Sequence, residues 1–186
     1  MIESWMSSIS SCKVPFYGFA PEHVKLEDIA WANSMNCRFA GHITEFYSVA
    51  QHSVWVWKRV REEGGTIMQQ KQALMHDASE AYLGDVVAPF KREMREYKAI
   101  EERFEAIITA AFGLYRELPP LVKKWDRVAS FVEANQWSPM GTKEWGEWGD
   151  WHELAALQEP IISLGYGEEP YKQFMVAAEL LGIHHI

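Results

Sequence analysis

The stretch HDASEAYLGD, residues 76–85, sets a histidine beside an aspartate and follows them one turn later with Glu80. Imidazoles and carboxylates are the ligands that borderline and hard divalent cations take from proteins. Two further residues complete such a set: His52, about two dozen positions upstream, and Asp126, about fifty positions downstream. Adjacent helical residues point about 100° apart, so His76 and Asp77 can share one ion only at a junction between neighbouring helices. The remaining ligands must then come from elsewhere in the chain. Taken singly, each of these side chains reads more simply as a core or surface group; their order along the chain is what sets them apart.

The elements that must position them are legible in the hydrophobic pattern. Leu26, Ile29 and Ala30 predict a short helix to about Asn33, followed by a turn through NCRFAGH that holds Arg38 near an element boundary. Val49, Val56 and Val60 recur at helical spacing between Phe46 and Glu63, with Gly64 and Gly65 as the stop, and His52 falls inside that helix. Gln69 to Leu83 reads as one long, largely buried helix carrying His76, Asp77 and Glu80. Pro89 opens a helix expected to run unbroken to Gly113, and Pro119 with Pro120 restarts the chain into LVKKWDRVASFVEANQW, which contains Asp126. Residues 137–151 form a Gly- and Trp-rich loop, and residues 151–158 and 169–181 read as shorter helices. No strand alternation or internal repeat is evident, so the fold class is all-α: an irregular N-terminal arm over residues 1–24 and a single helical domain over 25–186.

Composition narrows the function further. A chain of 186 residues with 48% hydrophobic content can bury one sizeable core. A formal net charge of -8 argues against a broad cationic surface for a nucleic-acid polymer or an anionic membrane, so any phosphate must be met in a local site. No apolar run is long enough to span a bilayer, and Cys12 and Cys37 are too few and too far apart for a disulfide framework or a thiolate metal site. A cytoplasmic location with reduced thiols is the expectation.

HDASEAYLGDVVAPFK, together with CRFAGH, SVAQHSV, YKAIEERFE and KKWDRVASFVEA in order around it, resembles the HD-domain superfamily of metal-dependent phosphohydrolases. The likeness covers roughly residues 25–137 and is greatest to bacterial HD-type 5′-deoxynucleotidases and to phage enzymes that destroy deoxynucleoside triphosphates. For a phage-encoded chain the compartment would be the host cytoplasm. The resemblance implies an HD-type helical bundle in which His52, His76, Asp77 and Asp126 hold one divalent ion, with Zn, Co or Mn suited to two imidazoles and two carboxylates. A second, Mg-type ion would accompany a triphosphate. By the same resemblance Glu80 activates water or passes a proton, and Arg38 clamps a phosphate with its planar fork of donors. Asp85 holds a sugar hydroxyl, or else serves the helix end, and Phe39 offers an aromatic surface to the base where bacterial members often carry tryptophan.

Monophosphate and triphosphate chemistry share these groups and differ in what holds the outer phosphates. Lys91, Arg95 and Lys98, at i, i+4 and i+7, would form a cationic stripe on one helix, with Lys91 nearest Asp85 and Arg95 a turn beyond. Such a stripe would suit a triphosphate, and the resemblance to phage enzymes that remove dATP implies dATP triphosphohydrolase activity as the expectation, with 5′-deoxynucleotidase activity as the alternative and a non-hydrolysing nucleotide sensor as a reading of another class. Relatives of this kind imply a homo-oligomer, a dimer or hexamer. Trp137, Trp145, Trp148 and Trp151 are expected to pack the loop rather than stack a base, and His184 and His185 to lie in a solvated tail.

Overall fold

A computed structural model describes residues 4–146 and 150–185. The all-α class holds, built from α1 (Leu26–Met35), α2 (Val49–Glu62), α3 (Ile67–Met75), α4 (Glu80–Leu83), α5 (Ala88–Glu93), α6 (Arg95–Ala111), α7 (Pro120–Trp137), α8 (Trp151–Ala156) and α9 (Glu168–Leu180). Among the described residues no helix is long and apolar enough to cross a membrane.

The central element is α2. Ser48 caps it by accepting the Gln51 amide at 3.1 Å, and its Val49, Ala50, Val54, Val56 and Val60 are buried on more than one side. Such a helix needs partners around most of its circumference, and α1, α3, α7 and α9 supply them. Thr66 and Gln69 form a reciprocal cap that starts α3, and Pro120 occupies the first turn of α7, where its missing N–H costs nothing. Gly65 ends the α2–α3 turn where a Cβ would stand 2.5 Å from Val60 Cγ1, so only glycine fits so close to the helix it has just left.

The N-terminal arm is more regular than its sequence implies. Strands β1 (Trp5–Ser7) and β2 (Lys13–Pro15) pair antiparallel, and the turn between them is pinned to α1 where Asp28 accepts from the Ser10 amide and hydroxyl, each at 2.8 Å. Phe19 then stacks on Phe104 of α6 with ring centroids 4.2 Å apart and lies 5.1 Å from Tyr82 of α4. At the other end of the chain His184 and His185 are exposed, as expected of a solvated tail, and His185 donates to the Pro21 carbonyl at 2.9 Å and packs edge-on against Phe112. Both cysteines are free thiols.

Two helices expected to be continuous are broken. The segment 69–83 divides into α3 and α4 around the turn 76–79, because the His76 ring donates through Nδ1 to the Ala73 carbonyl at 2.8 Å, the acceptor that a continuing helix would use. Past that point Ala78, Glu80 and Tyr82 bond three residues back, in the tighter 3-10 manner. Asn33 of α1 and Asn36, which caps its C-terminal end, donate to the carbonyls of Asp77 and Glu80 at 3.0 and 2.9 Å and brace the turn from outside. The helix after Pro89 likewise breaks at Met94, whose φ of -100° and ψ of 76° separate α5 from α6.

Candidate metal centre

His52 projects from the middle of α2, His76 and Asp77 from the turn after α3, and Asp126 from the second turn of α7. Their donor atoms meet. His52 Nε2 lies 3.2 Å from His76 Nε2, 3.5 Å from Asp77 Oδ2 and 3.3 Å from Asp126 Oδ1. His76 Nε2 lies 3.3 Å from Asp77 Oδ2 and 3.6 Å from Asp126 Oδ1. The break in the 69–83 helix is what makes this possible: in the turn, the neighbouring His76 and Asp77 side chains converge instead of diverging around a helical cylinder.

The donor set fits a divalent cation. His52 Nδ1 donates to Glu133 Oε1 at 2.5 Å and His76 Nδ1 donates to the Ala73 carbonyl, so both rings direct Nε2 to the same point, where it offers a lone pair once its proton is displaced. Two lone pairs and two carboxylate oxygens facing one another repel unless a cation lies between them. Ligands bound tetrahedrally at roughly 2.0–2.1 Å from an ion are separated by about 3.3 Å, which is the spacing seen here. His52, His76 and Asp126, whose ligand atoms all lie within 4.8 Å of one another, could hold a metal ion, and Asp77 adjoins both imidazoles.

The electrostatics agree. Burial alone would depress the proton affinity of His76, yet Asp77 and Asp126 outweigh it and hold the imidazole well above its ordinary range. His52 is raised as well, against burial and Arg38, by Glu133 and Asp126. Asp77 and Asp126 are shifted down, their own burial overcome by the two histidines. A site that draws positive charge onto buried imidazoles draws a metal ion by the same field.

Arg38 stands beside this cluster, in a turn over Arg38–Gly41 where Phe39 (φ 57°) and Ala40 (φ 50°) both adopt the left-handed conformation that costs non-glycine residues on the order of 1–3 kcal/mol each. The Arg38 amide bonds the Tyr47 carbonyl at 2.9 Å and the His42 amide bonds the Phe39 carbonyl at 3.0 Å, which holds the strained turn in place. The guanidinium keeps its charge despite burial because Glu133, Asp85, Asp77 and Glu80 surround it, and Nη1 lies 3.7 Å from Asp77 Oδ2. Glu80, the first residue of α4, is 5% exposed, and its Oε2 is buried with no hydrogen-bond partner among the described residues. Burial, then Asp77 and Asp85, raise its proton affinity well above the carboxylate range. Asp85 faces the same space: burial raises its proton affinity against Arg38, and its Oδ2 likewise has no hydrogen-bond partner among the described residues.

The other expected contacts are brought together less completely. Lys91 reaches the site edge but is engaged, its Nζ 2.6 Å from Glu101 Oε1 and 3.8 Å from Glu80 Oε1. Arg95 and Lys98 belong to α6, beyond the break at Met94, and are exposed, so the three cations do not line one helix face. Phe39 packs against Arg38 and, at 6.4 Å between ring centroids, against Trp145, which itself sits edge-on to Phe131. Trp137 is 4% exposed and stacks beside Tyr47, while Trp148 lies outside the described residues. Sequence reasoning missed Glu133, Asn33, Asn36 and Glu101. Of these only Glu133 left a signal: it follows Asp126 by seven residues, on the same face of α7, as a charged residue in an apolar run.

No family model matches the chain. It is 40% identical over 111 residues to the uncharacterized protein YfdR of Escherichia coli strain K12, an alignment that spans 60% of this chain and 57% of that protein. It is 30% identical over 139 residues to the uncharacterized protein RCAP_rcc00048 of Rhodobacter capsulatus, across 72% of this chain and 71% of the relative. The match to the first thus covers less than two thirds of that protein's length, whereas the second is matched across most of its own. The chain belongs to the same family as the Rhodobacter capsulatus protein.

Proposed function

We propose that the protein is a metal-dependent phosphohydrolase of the HD type, acting on deoxynucleotides by attack of water on the α-phosphorus. The observation that carries this reading is the convergence of His52, His76, Asp77 and Asp126 beside a buried arginine and a buried carboxyl with an unpartnered oxygen. A divalent ion held there would supply Lewis acidity, making water a nucleophile near neutral pH and polarising the phosphoryl oxygen.

The chain's own groups supply the rest. Arg38 is fixed by its turn with its terminal nitrogens toward the cluster, where a bidentate contact to phosphate oxygens offsets charge developing at phosphorus. Glu80 holds a proton more tightly than an ordinary carboxylate, which suits a group that takes a proton from the attacking water and returns it to the leaving 5′ oxygen. Asp85, with its buried unpartnered oxygen, accepts from a sugar hydroxyl. Phe39 contributes an aromatic edge behind Arg38.

The preferred substrate is dATP, cleaved to deoxyadenosine and triphosphate, with Lys91 leaving Glu101 to meet the outer phosphates. A second reading, release of phosphate from dAMP, is favoured by the engagement of Lys91 and the exposure of Arg95. Purified protein with added Mn or Co is to be offered dAMP, dATP, dGTP and ATP, and the products separated as nucleoside, phosphate and triphosphate. Deoxyadenosine with intact triphosphate is expected, and Lys91→Ala should cut turnover of dATP more than that of dAMP. Metal uptake with no nucleoside released from any substrate would refute hydrolysis and leave a nucleotide sensor.

A further inference from the structure

Glu133 is fully buried, at 0% exposure, in an otherwise apolar stretch of α7. Burying a carboxylate is costly unless it is paired and hydrogen-bonded on most of its lone pairs. Here the two oxygens are divided between two groups of the site. Oε1 accepts from His52 Nδ1, and Oε2 accepts from Arg38 Nε at 3.2 Å.

From this geometry we infer that Glu133 is a positioning residue that orients the metal ligand and the phosphate clamp together. The inference rests on the metal-site reading above. Through Oε1 it fixes the tautomer of His52, so that Nε2 carries the lone pair facing His76, Asp77 and Asp126, and its charge makes that nitrogen a stronger donor. Through Oε2 it occupies the Nε edge of Arg38 and leaves the opposite edge directed inward, with Nη1 at 3.7 Å from Asp77 and Nη2 at 3.4 Å from the Ser130 hydroxyl. Asp126 and Glu133 stand two turns apart on one face of α7. A single helix therefore supplies both an ion ligand and the brace for the groups opposite it.

The test uses the full chain, stripped of metal by chelation and titrated calorimetrically with Mn(II). The Mn-loaded chain is then titrated with inorganic phosphate. Wild type, Glu133→Gln, Arg38→Gln and the double variant are compared after circular dichroism has verified their folds. Glu133→Gln should weaken Mn binding by about 10- to 100-fold, with Arg38→Gln close to wild type. For phosphate, Glu133→Gln should cost about tenfold where Arg38 is present and nothing where Arg38 is already glutamine, because the glutamate acts through the arginine. Unchanged Mn affinity in Glu133→Gln, or an equal phosphate loss in both backgrounds, would overturn the proposal. If Glu133→Gln does not fold, Glu133→Asp carries the same comparison: it keeps the charge but is one methylene too short to span both partners. A wild-type chain that takes up no Mn would sink the metal site itself. Mn binding without nucleotide turnover would sink only the hydrolase reading and leave the role of Glu133 standing.

Discussion

Loading the centre with metal should stabilise the fold, and the size and pH dependence of that gain follow from the geometry. A ligand present at a hundred times its dissociation constant stabilises the native state by about 2.7 kcal/mol. For a domain of this length each kcal/mol raises the melting temperature by roughly 2–4 °C, so saturating Mn should raise it by about 5–10 °C. The informative perturbation is Asp126→Ala. Its removal also costs the metal-free fold the ion pairs it makes with His52 and His76, so the gain is read against each variant's own metal-free melting temperature, and in Asp126→Ala that Mn-dependent gain should largely vanish. His52 and His76 both hold protons more tightly than free imidazole, and an incoming cation must displace them. Each proton released steepens the apparent affinity by about tenfold per pH unit. Mn binding should therefore strengthen as pH rises through the range in which the two imidazoles titrate, by up to about a hundredfold per unit if both are displaced together. Differential scanning calorimetry at several pH values, with and without Mn, reads both effects. The reasoning fails if Asp126→Ala retains the full Mn-dependent shift, or if the wild-type shift is the same at every pH.

Two further outcomes concern the frame around the centre. Phe19→Ala removes a ring 6% exposed and stacked at 4.2 Å on Phe104; it should cost about 3–5 kcal/mol in denaturant unfolding, and a loss near zero would show that the arm is not part of the folded body. Glu105 is pushed up to about 7 by burial and then by Glu101, with Lys91 opposing, so the folded state binds its proton more tightly than the unfolded chain. The resulting stabilisation is complete below the ordinary carboxylate range and is lost as pH rises through 7; after allowance for solvent screening it amounts to about 1 kcal/mol. Glu105→Gln should flatten the stability profile between pH 5 and 8, and an unchanged slope would mean that other groups produce it.

The features that the sequence determined alone are those governed by local hydrogen bonding and side-chain period. Val49, Val56 and Val60 repeat at the pitch of a helix that must be buried, Gly64 and Gly65 stop it, and Pro120 starts α7 where Pro89 had already started α5. The residue types and order at 52, 76, 77 and 126 marked candidate metal ligands before any of them had a position in space. Tertiary structure alone decided how those ligands meet. The turn at His76 and Asp77 is braced by Asn33 and Asn36, each 44 residues from the carbonyl it meets, and helical periodicity holds no trace of a partner so distant. Glu133 reads from sequence as a charged interruption of an apolar face, and only the approach of α2 and of the Arg38 turn supplies the two donors that make its burial tolerable. The broken stripe of Lys91, Arg95 and Lys98 has the same origin: spacing places the three on one face only while the helix runs straight, and its direction changes at Met94.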